Sequence, residues 1–113
     1  MSSFYLDFAT TDGVDTDGID NTNAARAYGR KPYPRILAKV GLTGGASAGD
    51  TIVAVMVEDT EVARVQNTKT GLAPDNDDMK ALNVPIPANA LLRALLKDAP
   101  NTNNARMTMD TVP

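Results

Sequence analysis

Every aromatic side chain of this protein lies near its N-terminus. Phe4, Tyr5, Phe8, Tyr28 and Tyr33 account for both phenylalanines and all three tyrosines, there is no tryptophan, and residues 34–113 carry no aromatic ring. Aromatic rings supply the largest apolar areas a core can bury. The body of the chain must therefore pack from Val, Leu, Ile, Ala and Met, while the rings hang on its least regular part. Two outcomes are open. The rings cover this domain's own core, or they anchor an extended N-terminal arm in a neighbouring subunit. In the second case the candidate interface residues are Phe4, Tyr5, Phe8, Tyr28, Arg30, Lys31 and Tyr33, and removal of residues 1–9 leaves a folded body.

Hydrophobic periodicity then sets the fold class. Phe4, Leu6 and Phe8 alternate with Tyr5 and Asp7, the period-two pattern of a strand. Residues 10–34 form a long Gly/Asp/Asn/Thr/Pro-rich stretch with room for one helical turn around Thr22–Ala27. Arg35–Thr43 reads as a strand with Ile36, Ala38, Val40 and Leu42 on one face. Residues 44–49 form a Gly/Ala turn. Thr51–Glu58 is apolar on both faces, as a central strand would be, and Asp59-Thr60 turns it back into Glu61–Gln66. Residues 67–80 form a polar connection with an acidic loop at Pro74–Asp78. Val84-Pro85-Ile86-Pro87 suits an edge strand, because proline has no amide hydrogen to give a ladder. Ala90, Leu91, Ala94 and Leu95 fall at helical spacing and predict one short helix near 88–98, capped by Asn89 and ended by Pro100. Arg106–Val112 alternates again and closes the fold. These elements predict a mainly β protein, a small antiparallel β-sandwich of jelly-roll-like character. Its 113 residues make a single domain, divided into an arm and loop (1–34) and a sandwich body (35–113).

Composition excludes several function classes. With no cysteine and no histidine, thiolate chemistry, Ser-His-Asp triads and sulfur-based zinc sites are absent. No pair of carboxylates stands out as an acid/base couple, so the expectation is a protein that is not an enzyme. A net charge of −3 and a pI of about 4.7 argue against nucleic acid as partner. The chain shows no membrane span and no signal-peptide pattern. Charge is unevenly spread. Residues 1–29 hold five acids and one base, whereas residues 30–69 hold six bases and four acids, an arrangement suited to contacts between copies.

One segment has the character of a metal loop. In Asp12-Gly13-Val14-Asp15-Thr16-Asp17-Gly18-Ile19-Asp20, hard oxygen ligands alternate before a glycine, as a calcium loop requires. Asp15, Asp17 and Asp20 are the candidate calcium ligands. The first carboxylate and the closing glutamate of such a loop are missing, with Gly13 and Ala24 in their places. The other reading is a solvated turn. No further cofactor is implied. Arg30-Lys31-Pro32-Tyr33-Pro34-Arg35 joins bases and a ring in a stiff extended segment, read as a connector that rests on the surface of this protein or of a neighbouring copy.

Two resemblances follow. Val84–Arg93 (extended strand, proline, short helix, Leu-Leu-Arg) resembles a segment of the galactose-binding-like jelly rolls of carbohydrate-active enzymes, which implies a sugar-binding module. As a whole the chain is similar in character to small structural proteins of virus and phage particles, of the capsid decoration or minor capsid type. The shared features are short length, no Cys or His, abundant Thr, Asn, Ala and Gly, an extended arm, and strands joined by polar loops. That resemblance implies a non-enzymatic virion component, located in the particle and partnered by its own copies and a larger capsid shell. The alternative is a carbohydrate- or calcium-dependent ligand-binding sandwich.

Overall fold

The computed structural model describes residues 2–71 and 74–113. Met1 and residues 72–73, which fall within the expected arm and polar connection, lie outside the described residues. Among the described residues, seven strands form two antiparallel sheets: β1 Ser2–Phe8, β2 Arg35–Gly44, β3 Ile52–Val57, β4 Thr60–Gln66, β5 Lys80–Ile86, β6 Leu92–Asp98 and β7 Ala105–Val112. One sheet has the order β1-β7-β2-β5 and the other β4-β3-β6. A four-residue helix, α1 (Gly18–Asn21), and a 3-10 helix (Asn23–Tyr28) link β1 to β2, and a short 3-10 turn spans Asn76–Asp78. The chain crosses between sheets at β2–β3, β4–β5, β5–β6 and β6–β7, while β3–β4 is a hairpin within one sheet. This is the strand order of a jelly roll lacking one strand. Where that strand would pair with β6, an isolated bridge between Asp17 and Leu95 stands in. Among the described residues no helix is long and apolar enough to cross a membrane.

The core lies between the sheets. Phe4, Leu6 and Phe8 of β1, Leu37, Val40 and Leu42 of β2, and Met107 and Met109 of β7 face Val53, Val55, Leu92, Ala94 and Leu96 of the other sheet. Phe4 and Phe8 of β1 thus serve this domain's own core. Register ties them down: Phe4 pairs with Met109 and Phe8 with Ala105, and Tyr28 stacks on Phe4 with centroids 4.4 Å apart. The N-terminal segment is therefore an edge strand of the body and not a separable arm. α1 docks directly on it. A Cβ at Gly18 would overlap Leu6 and come within 2.6 Å of the Phe8 ring, so glycine is required for that approach.

Two expectations need correction. The segment near 88–98 is not a helix: Pro87–Ala90 turns, and Leu92–Asp98 is β6. The doublets Leu91-Leu92 and Leu95-Leu96 satisfy both periods, and tertiary pairing decides between them. As a strand, β6 buries Leu92, Ala94 and Leu96 completely and completes the ladder of β3. Its far edge is also occupied, because Asp15 N–H donates to the Leu96 carbonyl (2.7 Å) and Leu96 N–H to the Thr16 carbonyl (3.0 Å). In β2 the inward face is not Ile36, Ala38, Val40, Leu42. The ladder slips between Leu37 and Lys39, so Arg35 and Leu37 point inward before the slip and Val40 and Leu42 after it. Ile36 is consequently on the outside.

The remaining elements agree with the pattern. β5 is an edge strand carrying Pro85, and β7 buries Met107, Met109 and Thr111 while sitting between β1 and β2. β3 is central in its sheet, although Ile52 and Met56 on its outer face stay half-exposed. The β3–β4 turn falls on Glu58-Asp59, with Glu58 at a positive φ of 54°.

At one end of the sandwich the loops are pinned by Asn67, which is 2% exposed. Its amide nitrogen donates to the carbonyls of Gly44 (2.7 Å) and Ser47 (2.9 Å), and its oxygen accepts from the N–H groups of Gly49 (2.9 Å) and Thr51 (3.0 Å). Asp50 completes the network by accepting from Ala46 and Ser47 N–H.

Phe8→Ala should lower unfolding free energy by about 3–5 kcal/mol in chemical denaturation, the usual loss for a fully buried ring. Deleting residues 2–8 should leave no cooperative unfolding transition by circular dichroism, in contrast to the loss of a mere arm.

Candidate functional site

The two ends of the sandwich differ in character. The Asn67 end is polar and internally bonded. At the other end, where β2 begins and β5 and β7 finish, the surface is apolar and rich in proline. An open cleft of about 290 Å³ is lined there by Pro34, Arg35, Ile36, Pro85, Ile86, Pro87 and Pro113. Beside it in sequence stands Tyr33, 47% exposed, and Ile36 is 38% exposed. Register explains the grouping: Ile36 lies opposite Pro85 on one neighbour and Val112 on the other. Proline at 85 is compatible with the sheet because β5 is an edge.

The segment leading into this face is held by the body. Leu92 N–H donates to the Gly29 carbonyl (2.6 Å) and Asn89 N–H to the Lys31 carbonyl (2.7 Å). The Arg30 guanidinium donates to the Asn89 carbonyl. Lys31 Nζ lies 5.0 Å from the centroid of the Tyr28 ring, a cation–π contact. Arg30 and Lys31 therefore fasten the segment, and Tyr33 is the ring it presents.

Arg35 is the unusual residue. It is 4% exposed, and among the described residues no hydrogen-bond acceptor meets either of its buried terminal guanidinium nitrogens. Burial pushes its pKa below the ordinary arginine range, partly offset by the nearby Tyr33. At neutral pH the guanidinium keeps its charge.

The seven interface candidates from the sequence thus separate. Phe4 and Phe8 are core, Tyr28 packs on Phe4, and Arg30 and Lys31 are fasteners. Tyr5 is exposed on the outer face of its sheet, but the Arg106 guanidinium lies 4.1 Å from its centroid and is itself paired with Asp7 at 2.8 Å. Tyr33 alone belongs to the apolar end. The periodicity argument missed Arg35, Ile36, Pro85 and Pro87 as a group, because the slip in β2 hides which of its residues face outward. The paired prolines at 32/34 and 85/87 were the available signal.

The calcium candidates are not brought together. Asp15 is paired with Lys97 at 2.5 Å. Asp17 caps α1, accepting from Ile19 N–H and from Ala94 N–H of β6, each at 3.1 Å. Burial raises the Asp17 pKa against those two bonds, which lower it. Asp20 is exposed, and its carbonyl oxygen accepts from Arg26. Among the described residues no three acidic side chains converge in a way that would hold a metal ion. Asp15 and Asp17 join this loop to β6.

A second cleft, of about 310 Å³, lies between β2 and β4 and includes Arg64, Thr68, Asp78 and Lys80. Asp78 is engaged there by Asp75 N–H (3.0 Å), the Thr68 hydroxyl (2.7 Å) and the Lys69 ammonium (2.9 Å), which together hold its carboxyl well below the usual range.

Comparison with known proteins returns no family model that matches the chain, and no curated protein or solved structure that matches it.

Asp17→Ala should destabilise the fold by about 1–3 kcal/mol, since it strips the acceptor from two backbone donors. Addition of calcium or chelator should leave the melting temperature of the parent protein unchanged. A depressed folded pKa makes the contribution of Asp78 complete above the ordinary carboxylate value of about 4 and progressively lost below it. Asp78→Asn should therefore be less stable than the parent at pH 7, with the gap narrowing as pH falls from 4 towards 2 in parallel denaturation series.

Proposed function

We propose that this protein is a non-catalytic assembly component, a capsid-associated or decoration-type virion protein that works through contacts between copies and with a larger shell. The observation that carries the reading is the exposed apolar end formed by Tyr33, Pro34, Ile36, Pro85 and Pro87. An apolar face of this kind marks an interaction surface more often than it marks chance exposure. Proline and a short, fastened segment make it rigid, so little conformational entropy is lost on contact.

Fold-level analogy points the same way, since jelly rolls recur in viral capsid and lectin domains. The lectin-like alternative has less support. The exposed Tyr5 ring is covered by Arg106 on one face, and the segment resembling a sugar-binding jelly roll forms a turn and a strand where the resemblance implies a helix. Charge favours contacts in which unlike ends meet. Val14, 69% exposed, stands between Asp12 and Asp15 on the loop that follows β1, at the end remote from Tyr33 and Arg35. Such an arrangement is heterologous, and it extends into a ring or an open chain of copies.

Light scattering coupled to size exclusion over a concentration series tests this reading. The parent protein should exceed monomer mass as concentration rises, and Ile36→Asp should return it to monomer while melting like the parent. A strict monomer throughout, with no binding to a particle shell, would defeat the reading.

A further inference from the structure

We infer that the Asp12-Gly13 linkage is a site of spontaneous aspartate isomerisation, from which the fold protects the matching linkage Asp17-Gly18. The chain spells nearly the same five residues twice in succession, Thr11-Asp12-Gly13-Val14-Asp15 and Thr16-Asp17-Gly18-Ile19-Asp20. Local chemistry is therefore nearly equal at the two aspartates. A difference in reactivity comes from what the fold does with each copy.

The reaction needs no partner except water. The glycine amide nitrogen attacks Cγ of the neutral aspartic acid and closes a five-membered imide. The carboxyl hydroxyl and the amide proton leave together as water. A second water then opens the ring at either carbonyl. Opening at Cγ restores aspartate. Opening at the main-chain carbonyl leaves the glycine nitrogen bonded to Cγ, and the former main-chain carbonyl becomes a free carboxylate. The main chain then runs through the side chain and is longer by one carbon. Glycine hinders the attack least, because it has no Cβ and leaves the backbone free to turn.

The two copies sit in opposite surroundings. Gly13 is exposed, a Cβ there would meet nothing within 4 Å, and among the described residues its N–H meets no acceptor. The Asp12 carboxylate keeps one bond, accepted from the Ala9 N–H at 2.8 Å. Asp17 is restrained on every side. One of its carboxylate oxygens accepts from the N–H groups of both Ile19 and Ala94. Its carbonyl accepts from Asn21 N–H (2.9 Å), and the Thr16 carbonyl before it accepts from Leu96 N–H (3.0 Å). A Cβ at Gly18 would overlap Leu6 and Phe8, so no room exists there for an added main-chain carbon. Burial raises the Asp17 pKa, which by itself favours the reactive neutral acid. The restraint of chain and carboxylate outweighs that effect.

Isomerisation at position 12 lengthens the main chain beside Val14, the residue that is 69% exposed. The loop after β1 thus takes two covalent forms as the protein ages. The reaction belongs to the single chain and does not rest on the assembly reading.

The test incubates the intact protein in mildly acidic buffer below its melting temperature, with a parallel sample in denaturant. Peptides from both are read by electron-transfer fragmentation, which distinguishes isoaspartate from aspartate at each position. In the folded protein isoaspartate accumulates at position 12 about tenfold or more faster than at position 17, which reacts only from opened states. In denaturant the two rates converge. Gly13 has no positive φ, so Gly13→Val melts like the parent, and it suppresses accumulation at position 12 because a branched side chain crowds the attacking nitrogen. Equal rates at the two positions in the folded protein would overturn the inference. So would a folded protein that forms no isoaspartate at position 12 while the denatured chain does, or a Gly13→Val protein that isomerises at the parent rate.

Discussion

The pairing of β1 with β7, which turns Phe4, Leu6 and Phe8 into the core between the sheets, is the contact on which the rest of the structure depends. Residues 34–113 have no rings of their own, and Phe4, Leu6 and Phe8 occupy space that their Val, Leu, Ala and Met side chains surround. The strand is held by β7, from nearly the opposite end of the sequence, so the fold closes only when both termini are in place. From there a chain of contacts runs outward. Leu6 and Phe8 leave room for glycine alone at position 18, which lets α1 lie against β1. The segment just before α1 then pairs with the free edge of β6, and Asp17 bridges helix and strand. Beyond the 3-10 helix, Gly29 and Lys31 bond to the start of β6 and the turn before it, and the next residues are Tyr33, Pro34 and Arg35. The position of the apolar end is thus set by the packing of the first strand.

The same dependence accounts for how open edges are managed. A seven-stranded jelly roll leaves β6 without its usual neighbour, and an uncovered edge invites unwanted pairing. The 15–17 segment covers it with two backbone bonds and a carboxylate. β5 is blunted by Pro85, and β4 by exposed charges at Glu61 and Arg64 together with a slip in its ladder opposite Val55 and Met56. The proposed contact between copies lies at the ends of the sandwich and not along a strand edge. The polar end is closed by Asn67 and Asp50, whose bonds saturate the turn amides there. That contrast makes one end polar and closed by its own bonds, and the other apolar and open.

How much of this was legible in the sequence can be followed residue by residue. Alternation in Phe4–Phe8, the valine-rich run at 52–57, the prolines at 85 and 87, and Met107/Met109 each indicated a strand correctly, because a two-residue period written in large apolar side chains survives any tertiary context. Leu91 to Leu96 carried two periods at once, and nothing local separates them. The slip in β2 was invisible for a similar reason: one unpaired residue exchanges the faces of Ile36 and Leu37 without altering composition. The aspartates at 15, 17 and 20 had the spacing of ligands, but their partners, Lys97 and the amides of Ile19 and Ala94, lie partly on a strand 70 and more residues away. Arg35 gave no signal, since a base after Tyr-Pro looks like any surface base until both of its flanking strands are in place.

By itself, then, the amino-acid order determined the class of the protein: mainly β, without thiol or imidazole side chains, with its aromatic rings gathered in the first 33 residues. Those properties are local or compositional, and folding cannot change them. Only the tertiary structure decided that Phe4 and Phe8 belong to the domain's own core while Tyr5 and Tyr33 stay exposed, that 92–98 is a strand, and that the guanidinium of Arg35 is buried with no acceptor for its terminal nitrogens among the described residues. Each of these depends on which distant segment supplies the neighbour. A side chain's period says which face it shares with its own strand, and the opposing sheet decides what that face meets.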